Sequence, residues 1–182
     1  MTLKLGFIGC GRHARHMLLP QLARNGMRLE AVCDIDEAAA ATVAADYGAK
    51  AVYTRHDDLI AHKGLDAVAM AVGPAVHEAA AIAALARELP VFMEKPPAAD
   101  LAGAERVADA AEKAGLPVLV GFMKRYSTGN RIAKNVLEGD FGPVSGILAT
   151  YMTAPTYFGG AADYSGFYLH HCVHAMDLVP WL

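Results

Sequence analysis

The sequence predicts an α/β protein: a doubly wound parallel sheet, followed by the beginning of a second α/β domain. Three observations carry this expectation. Short apolar runs rich in β-branched residues alternate with longer helical patterns, the rhythm of a parallel sheet with crossover helices. A glycine-rich turn, Gly9-Cys10-Gly11-Arg12-His13-Ala14, follows the first of these runs directly. Beyond Gly121 the regular alternation ends, and glycine, tyrosine, threonine and proline become frequent.

The strands expected on this pattern are Leu3 to Ile8, Leu29 to Cys33, Ala51 to Tyr53, Ala67 to Val72, Val91 to Met93 and Val118 to Val120. Helical patterns fill the intervals at Arg12 to Asn25, Asp36 to Tyr47, Asp57 to His62, Pro74 to Glu88 and Asp100 to Ala114. Asp36 and Asp100 are suited to cap their helices, because a carboxylate accepts from the exposed N–H groups of a first turn. Pro74 fits a first helical position, where its missing N–H is not needed. Gly26, Gly48 and Gly115 read as stops, since glycine adopts the left-handed conformation without strain. Pro20 interrupts the first pattern, and a kink or early break is expected there. Further on, a helix from Ser127 to Leu137 should lead through a turn at Gly139 to Pro143 into a strand from Val144 to Thr153. A loop from Ala154 to Gly166 and a helix from Tyr168 to Leu182 complete the reading. The domain boundary falls near Gly121 to Tyr126, dividing the chain into 1–122 and 123–182.

Composition excludes several classes. The chain has 182 residues, 54% of them hydrophobic and 19% charged, which is the balance of a folded protein with a real core. A net charge of −3 without any polybasic run gives no footprint for nucleic acid. The three cysteines, Cys10, Cys33 and Cys172, are an odd set in apolar or glycine-rich surroundings and read as reduced thiols. The alanine-rich run Ala79 to Ala86 is cut by Arg87 and Glu88, far short of a membrane span. A strand begins almost at once, leaving no room for a signal peptide, so a cytoplasmic location is expected.

The glycine turn has a chemical reading. Gly9 permits a tight exit from the strand, and Gly11 removes the Cβ that would strike a pyrophosphate. Ala14 replaces the usual third glycine and still allows close packing of helix on strand. The N–H groups of the helix start, together with its dipole, favour an anion at that position. Asp34 ends the second apolar run, where its carboxylate can accept from a ribose diol. Arg12 could reach a 2′-phosphate, which keeps NADP open, but Asp34 repels that group and tips the balance to NAD.

On its own a Gly-x-Gly-x-x-Ala turn is weak evidence. Further landmarks follow in order: Val72-Gly73-Pro74-Ala75-Val76-His77 after the fourth strand, then Phe92-Met93-Glu94-Lys95-Pro96-Pro97 at the end of the fifth. The last is His170-His171-Cys172-Val173-His174-Ala175-Met176-Asp177-Leu178. With these the chain resembles the glucose–fructose oxidoreductase / inositol dehydrogenase / MocA (Gfo/Idh/MocA) family of NAD(P)-dependent oxidoreductases. Glu-Lys-Pro at a strand end is the most specific element, and Gly121 to Tyr126 and Gly139 to Ser145 add to it.

The resemblance implies a Rossmann domain and an α/β domain whose open sheet shapes the substrate site and builds the oligomer interface. It also implies that this second domain is truncated here, with one long strand where several are expected. An exposed edge of that kind needs covering, so a homo-oligomer is possible. The resemblance implies contact of Lys95 with the nicotinamide ribose and with the substrate hydroxyl, where an ammonium stabilises negative charge on oxygen. Glu94 is similar to the family residue beside the same ribose, although an isolated Glu-Lys pair would read as a charged strand cap. His174 matches the histidine that takes the hydroxyl proton. His170 stands one helical turn earlier, where the family usually has Asp. An imidazole there lacks the fixed negative charge that would raise the basicity of His174, but it can relay a proton.

Gly9, Cys10, Gly11, Arg12, His13, Asp34, Val72, Gly73, His77, Glu94 and Lys95 are thus the expected cofactor contacts, and Lys95, His174 and His170 the expected catalytic group. His77 alone has an equally good structural reading. Arg125 and Tyr126 read first as a solvated face, and Asp177 as a brace for its own helix. The spacing of His170 and His174 is that of zinc ligands, but no second Cys/His cluster accompanies them, so no metal is expected. The leading function is hydride transfer between a nicotinamide cofactor and a secondary alcohol of a sugar, polyol or similar metabolite. A cofactor-binding module without turnover and an NAD-assisted glycoside hydrolase are the rivals.

Overall fold

The computed structural model describes residues 2–139, 141, 143–152 and 171–182. The chain divides into two compact units, Met1–Val120 and Gly121–Leu182. The first holds six parallel strands: β1 (Leu3–Ile8), β2 (Met27–Cys33), β3 (Ala51–Tyr53), β4 (Ala67–Met70), β5 (Val91–Met93) and β6 (Val118–Val120). Their order across the sheet is β3-β2-β1-β4-β5-β6. This is the doubly wound Rossmann arrangement, with its order reversing between β1 and β4.

Crossover helices α1 (Glu37–Tyr47), α2 (His56–Ile60), α3 (Pro74–Leu85) and α4 (Leu101–Ala114) link the strands. Asp36 and Asp100 cap α1 and α4 through their side chains, accepting from the N–H groups of Ala39 and Gly103. Gly26, Gly48 and Gly115 take positive φ at the expected stops.

The sheet is buried on both faces, which is why its strands read as apolar runs instead of alternating ones. Leu5, Phe7, Leu29 and Val32 pack on one face with Val43 and Leu19, while Ile8, Ala31, Cys33, Val68 and Met70 pack on the other with Ala80, Ala84 and Leu85. Strict alternation along β2 would set Leu29 and Val32 on opposite faces. The pairing with β1 slips by one residue at Glu30, so both reach the same side. The displaced Glu30 carboxylate is met by Lys50 and Arg28, each at 2.8 Å. Gly6 has no room for a side chain: a Cβ would lie 2.7 Å from Leu59 and 2.8 Å from Leu65.

The expected helix from Arg12 to Asn25 is not continuous. A wide π turn at Ala14–Leu18 gives way to two 3₁₀ turns, Leu19–Gln21 and Ala23–Asn25. Pro20 cannot donate to the preceding turn, so the break falls where it sits. β2 begins at Met27, two residues before the expected start, and β4 stops at Met70.

The second unit contains a 3₁₀ turn at Met123–Tyr126, helix α5 (Thr128–Glu138) and helix α6 (Val173–Trp181). The strand expected from Val144 is absent through Met152, where the chain has no ladder partner among the described residues. A strand exists only by exchanging hydrogen bonds with a neighbour, and here Leu148 and Met152 are 95% and 86% exposed. Thr153, the loop Ala154 to Gly166 and the helix start from Tyr168 to His170 lie outside the described residues. Among the described residues no helix is long and apolar enough to cross a membrane.

Candidate functional site

The carboxyl ends of the central strands are laced together at one level. Gly9 N–H donates to the Cys33 carbonyl at 2.8 Å, Ala71 N–H to Ile8 at 2.9 Å, and Glu94 N–H to Met70 at 2.9 Å. These bonds bring the glycine turn, the Val72-Gly73 turn and the Glu94-Lys95 pair to the rim of one crevice, where the strand order reverses. Crevices at such switch points take ligands in open α/β sheets.

Gly9 has a φ of +99°, and a Cβ on it would lie 2.4 Å from the Ala71 carbonyl oxygen. It is therefore glycine for two independent reasons. Gly11 differs: a Cβ there would meet nothing within 4 Å, so the space above it is open. The helical ladder first closes from Arg15 N–H to the Gly11 carbonyl at 3.1 Å. The N–H groups of Arg12, His13 and Ala14 precede that closure and have no intrahelical acceptor. Open space over Gly11 beside unclosed donors is a cradle that fits a diphosphate.

Asp34 is held against this turn. One carboxylate oxygen accepts from Cys10 N–H at 2.6 Å, the other from Asp36 N–H at 2.9 Å. Cys10 was expected among the cofactor contacts, but its N–H is committed to Asp34 and its side chain is buried. It sets the position of the acid. Burial, followed by the nearby Asp34 charge, pushes the Cys10 thiol up to about 12, and burial raises Cys33 to about 11. Both thiols stay protonated and act as small apolar side chains.

His77 is placed as its structural reading describes. Its ring is completely buried, and both nitrogens are taken by main-chain groups. Val72 N–H donates to Nε2 at 3.2 Å, and Nδ1 lies 2.8 Å from the Pro96 carbonyl oxygen. Because Nε2 accepts, Nδ1 must carry the proton, and the ring is neutral. No polar atom of His77 is left to touch a cofactor. The same bond explains the early end of β4, whose expected continuation at Val72 turns its N–H to the ring.

Glu94 links two parts of the rim. Its carboxylate lies 3.2 Å from His13 Nε2 and accepts from Lys95 N–H at 3.2 Å. The contact with His13 is one that reading the sequence missed, since nothing in the spacing of residues 13 and 94 announces it. Lys95 is half-buried, and that burial lowers its pKa against the opposing charge of Glu94. A peptide bond in the cis form joins Lys95 to Pro96.

In the second unit, His174 lies on α6 and borders a cavity of about 290 Å³ with Lys124, Ile147, Thr150, Tyr151 and Leu178. Arg125 is not a solvated face: its guanidinium grips Asp177 through two hydrogen bonds, that from Nε being 2.8 Å long. Asp177 thus braces α6 against the Met123–Tyr126 turn instead of only its own helix. His170 lies outside the described residues. Among the described residues no group of three His, Cys, Asp or Glu side chains is placed to hold a metal ion.

Residues 3–122 match the family described as the oxidoreductase family with an NAD-binding Rossmann fold, GFO/IDH/MocA. The chain belongs to this family. An inositol 2-dehydrogenase of Acidiphilium cryptum is 37% identical over 145 residues, covering 78% of this chain and 43% of the relative. A scyllo-inositol dehydrogenase of Lactobacillus casei, solved with bound NAD(H) and scyllo-inositol, superposes with a TM-score of 0.90 at 25% identity. That match covers all of this chain and 56% of the other. A myo-inositol 2-dehydrogenase of Lactobacillus plantarum gives a TM-score of 0.80 at 29% identity, with the same coverage. The chain spans about half the length of the curated relatives it matches. Its Gfo/Idh/MocA membership makes it an NAD-binding oxidoreductase fold related to the polyol dehydrogenases.

Proposed function

We propose that the chain is the cofactor-binding and catalytic part of an NAD-dependent dehydrogenase acting on a secondary alcohol of a sugar- or polyol-like metabolite. The observation that carries the cofactor choice is the doubly anchored Asp34 carboxylate beside the glycine turn. Fixed there, it accepts from a ribose diol and repels a 2′-phosphate, so NAD is favoured over NADP. Gly11, Arg12 and His13 receive the diphosphate through their main chain, with Gly73 and Glu94 at the same rim. The substrate class rests on the inositol dehydrogenases that the chain resembles along its length.

The roles follow from residue chemistry. The bound nicotinamide supplies a hydride acceptor. Lys95 donates to the substrate oxygen and stabilises its growing negative charge as the proton departs. The resemblance gives His174 as the group that takes that proton, with His170, four residues earlier in the sequence, as its relay. A cytoplasmic location and a homo-oligomer are part of the same reading.

The test is absorbance of NADH formed from NAD with a panel of inositols, sugars and dihydrodiols. Turnover with at least one polyol is expected, and Lys95→Ala should lower kcat by about a hundredfold while NADH still binds, as loss of one preorganised donor does. Tight NAD binding with no reduction across the panel would favour a module without turnover. Glycoside cleavage with no net NADH would favour the hydrolase.

A further inference from the structure

We propose that His77 is the positioning residue for Lys95: by bridging Val72 N–H and the Pro96 carbonyl, its imidazole fixes the turn that carries the lysine. The proposal rests on the reading of Lys95 as the group that polarises the substrate oxygen.

The geometry leaves His77 little other role. It stands in the first turn of α3, yet its side chain reaches the segment that leaves β5, nineteen residues later in the chain. Lys95 is flanked on both sides by anchors. Glu94 N–H before it is tied to the end of β4, at Met70. The Pro96 carbonyl after it is tied to His77, and through that ring to Val72, again beyond the end of β4. Removing His77 takes away the second of these anchors and deprives the buried Pro96 carbonyl and the part-buried Val72 N–H of this partner. A buried group that loses its partner relaxes towards water, and the turn can do so only by moving.

The charged state of the ring is part of the device. Burial holds the His77 pKa below the ordinary imidazole value, against the opposing pull of the Pro96 hydrogen bond and the Glu94 charge. Glu94, the residue that follows β5, is the ionisable group that acts on it. Protonated, Nε2 would face Val72 N–H with a second donor, and the bridge would fail. Burial thus makes the ring less ready to take a second proton than a free histidine, which favours the state in which the bridge is made.

Two measurements test this on the full chain. Nitrogen NMR of histidine-labelled protein should show His77 with Nδ1 protonated and Nε2 unprotonated at neutral pH; the opposite tautomer overturns the bridge. Dimethyl-lysine NMR, assigned with Lys95→Arg, then follows the Lys95 amine directly and needs no turnover. In His77→Leu, which removes both bonds, its titration should move upward towards that of an ordinary lysine. His77→Gln offers an acceptor and a donor and should keep the wild-type value. If the leucine variant does not fold, His77→Asn, whose amide is too short to meet both partners, takes its place with the same upward shift expected. An unmoved Lys95 titration in a folded Leu or Asn variant overturns the proposal. Where the wild type turns over, the Leu or Asn variant should lose kcat by about tenfold or more, with activity restored in the Gln variant. Loss of NAD binding alongside an unmoved Lys95 would mark a merely structural role. An absence of turnover in the wild type would fail the proposed function while leaving the Lys95 titration to decide this one.

Discussion

Replacing Gly9 with alanine is expected to lower the melting temperature by several degrees and to weaken NADH binding at least tenfold. Two penalties act together at this position. Alanine at a φ of +99° leaves the region open to side chains, and its Cβ would stand 2.4 Å from the Ala71 oxygen. Strained backbone and forced overpacking each cost about 1–3 kcal/mol. The clash falls on main chain, so no side chain can swing aside to relieve it. Relief must come from separating the ends of β1 and β4, which also carry the rim of the crevice. The loss of affinity, about 1.4 kcal/mol or more for a tenfold change, follows from that displacement. Differential scanning fluorimetry and NADH titration measure the two effects on one sample. Gly11→Ala is the control: with nothing within 4 Å of its Cβ, it should melt like the wild type and lose affinity alone.

The second large effect is expected in the other unit. The Asp177 side chain is largely covered and paired with Arg125, whose pKa the hydrogen bond to that carboxylate raises. Arg125→Ala would leave a buried carboxylate without its partner. Breaking a buried pair in this way costs about 3–5 kcal/mol. Arg125 is about a third exposed, which screens part of the interaction, so the low end applies: ~3 kcal/mol. Arg125→Lys should recover little, because a single ammonium cannot reproduce the two-pronged contact. Chemical denaturation followed by the lone tryptophan, Trp181 on the same helix, reads this unit directly. Equal stability of Arg125→Ala and wild type would show that the pair contributes nothing.

Much of the first unit was legible in the sequence because its signals are local. β5 and β6 fall where their apolar runs are, and Asp36, Asp100 and the stop glycines mark helix ends through contacts within a turn. The break at Pro20 was legible for the same reason. What could not be read depends on contacts between distant segments. The bulge at Glu30 arises from pairing with β1, and no pattern within β2 marks it. The sequence shows a histidine at 77, but only the folded chain reveals that Pro96 and Val72 occupy both its nitrogens. Arg125 reads as a surface residue until Asp177, far along the chain, is beside it. The strand expected from Val144 has a suitable alternation of side chains, but alternation describes a face and does not provide a neighbour to pair with. The crevice was foreseen as a place; the network holding Asp34, Glu94 and Lys95 in it was not.

The central claim is that the glycine turn and Asp34 form a site for NAD. Calorimetric titration of the folded chain with NADH and with NADPH tests it most directly. The account predicts saturable binding of one NADH per chain, NADPH weaker by about tenfold or more, and a narrowing of that gap in Asp34→Ala, each tenfold being ~1.4 kcal/mol. Folded protein that gives no saturable signal with NADH, or that prefers NADPH, would contradict it.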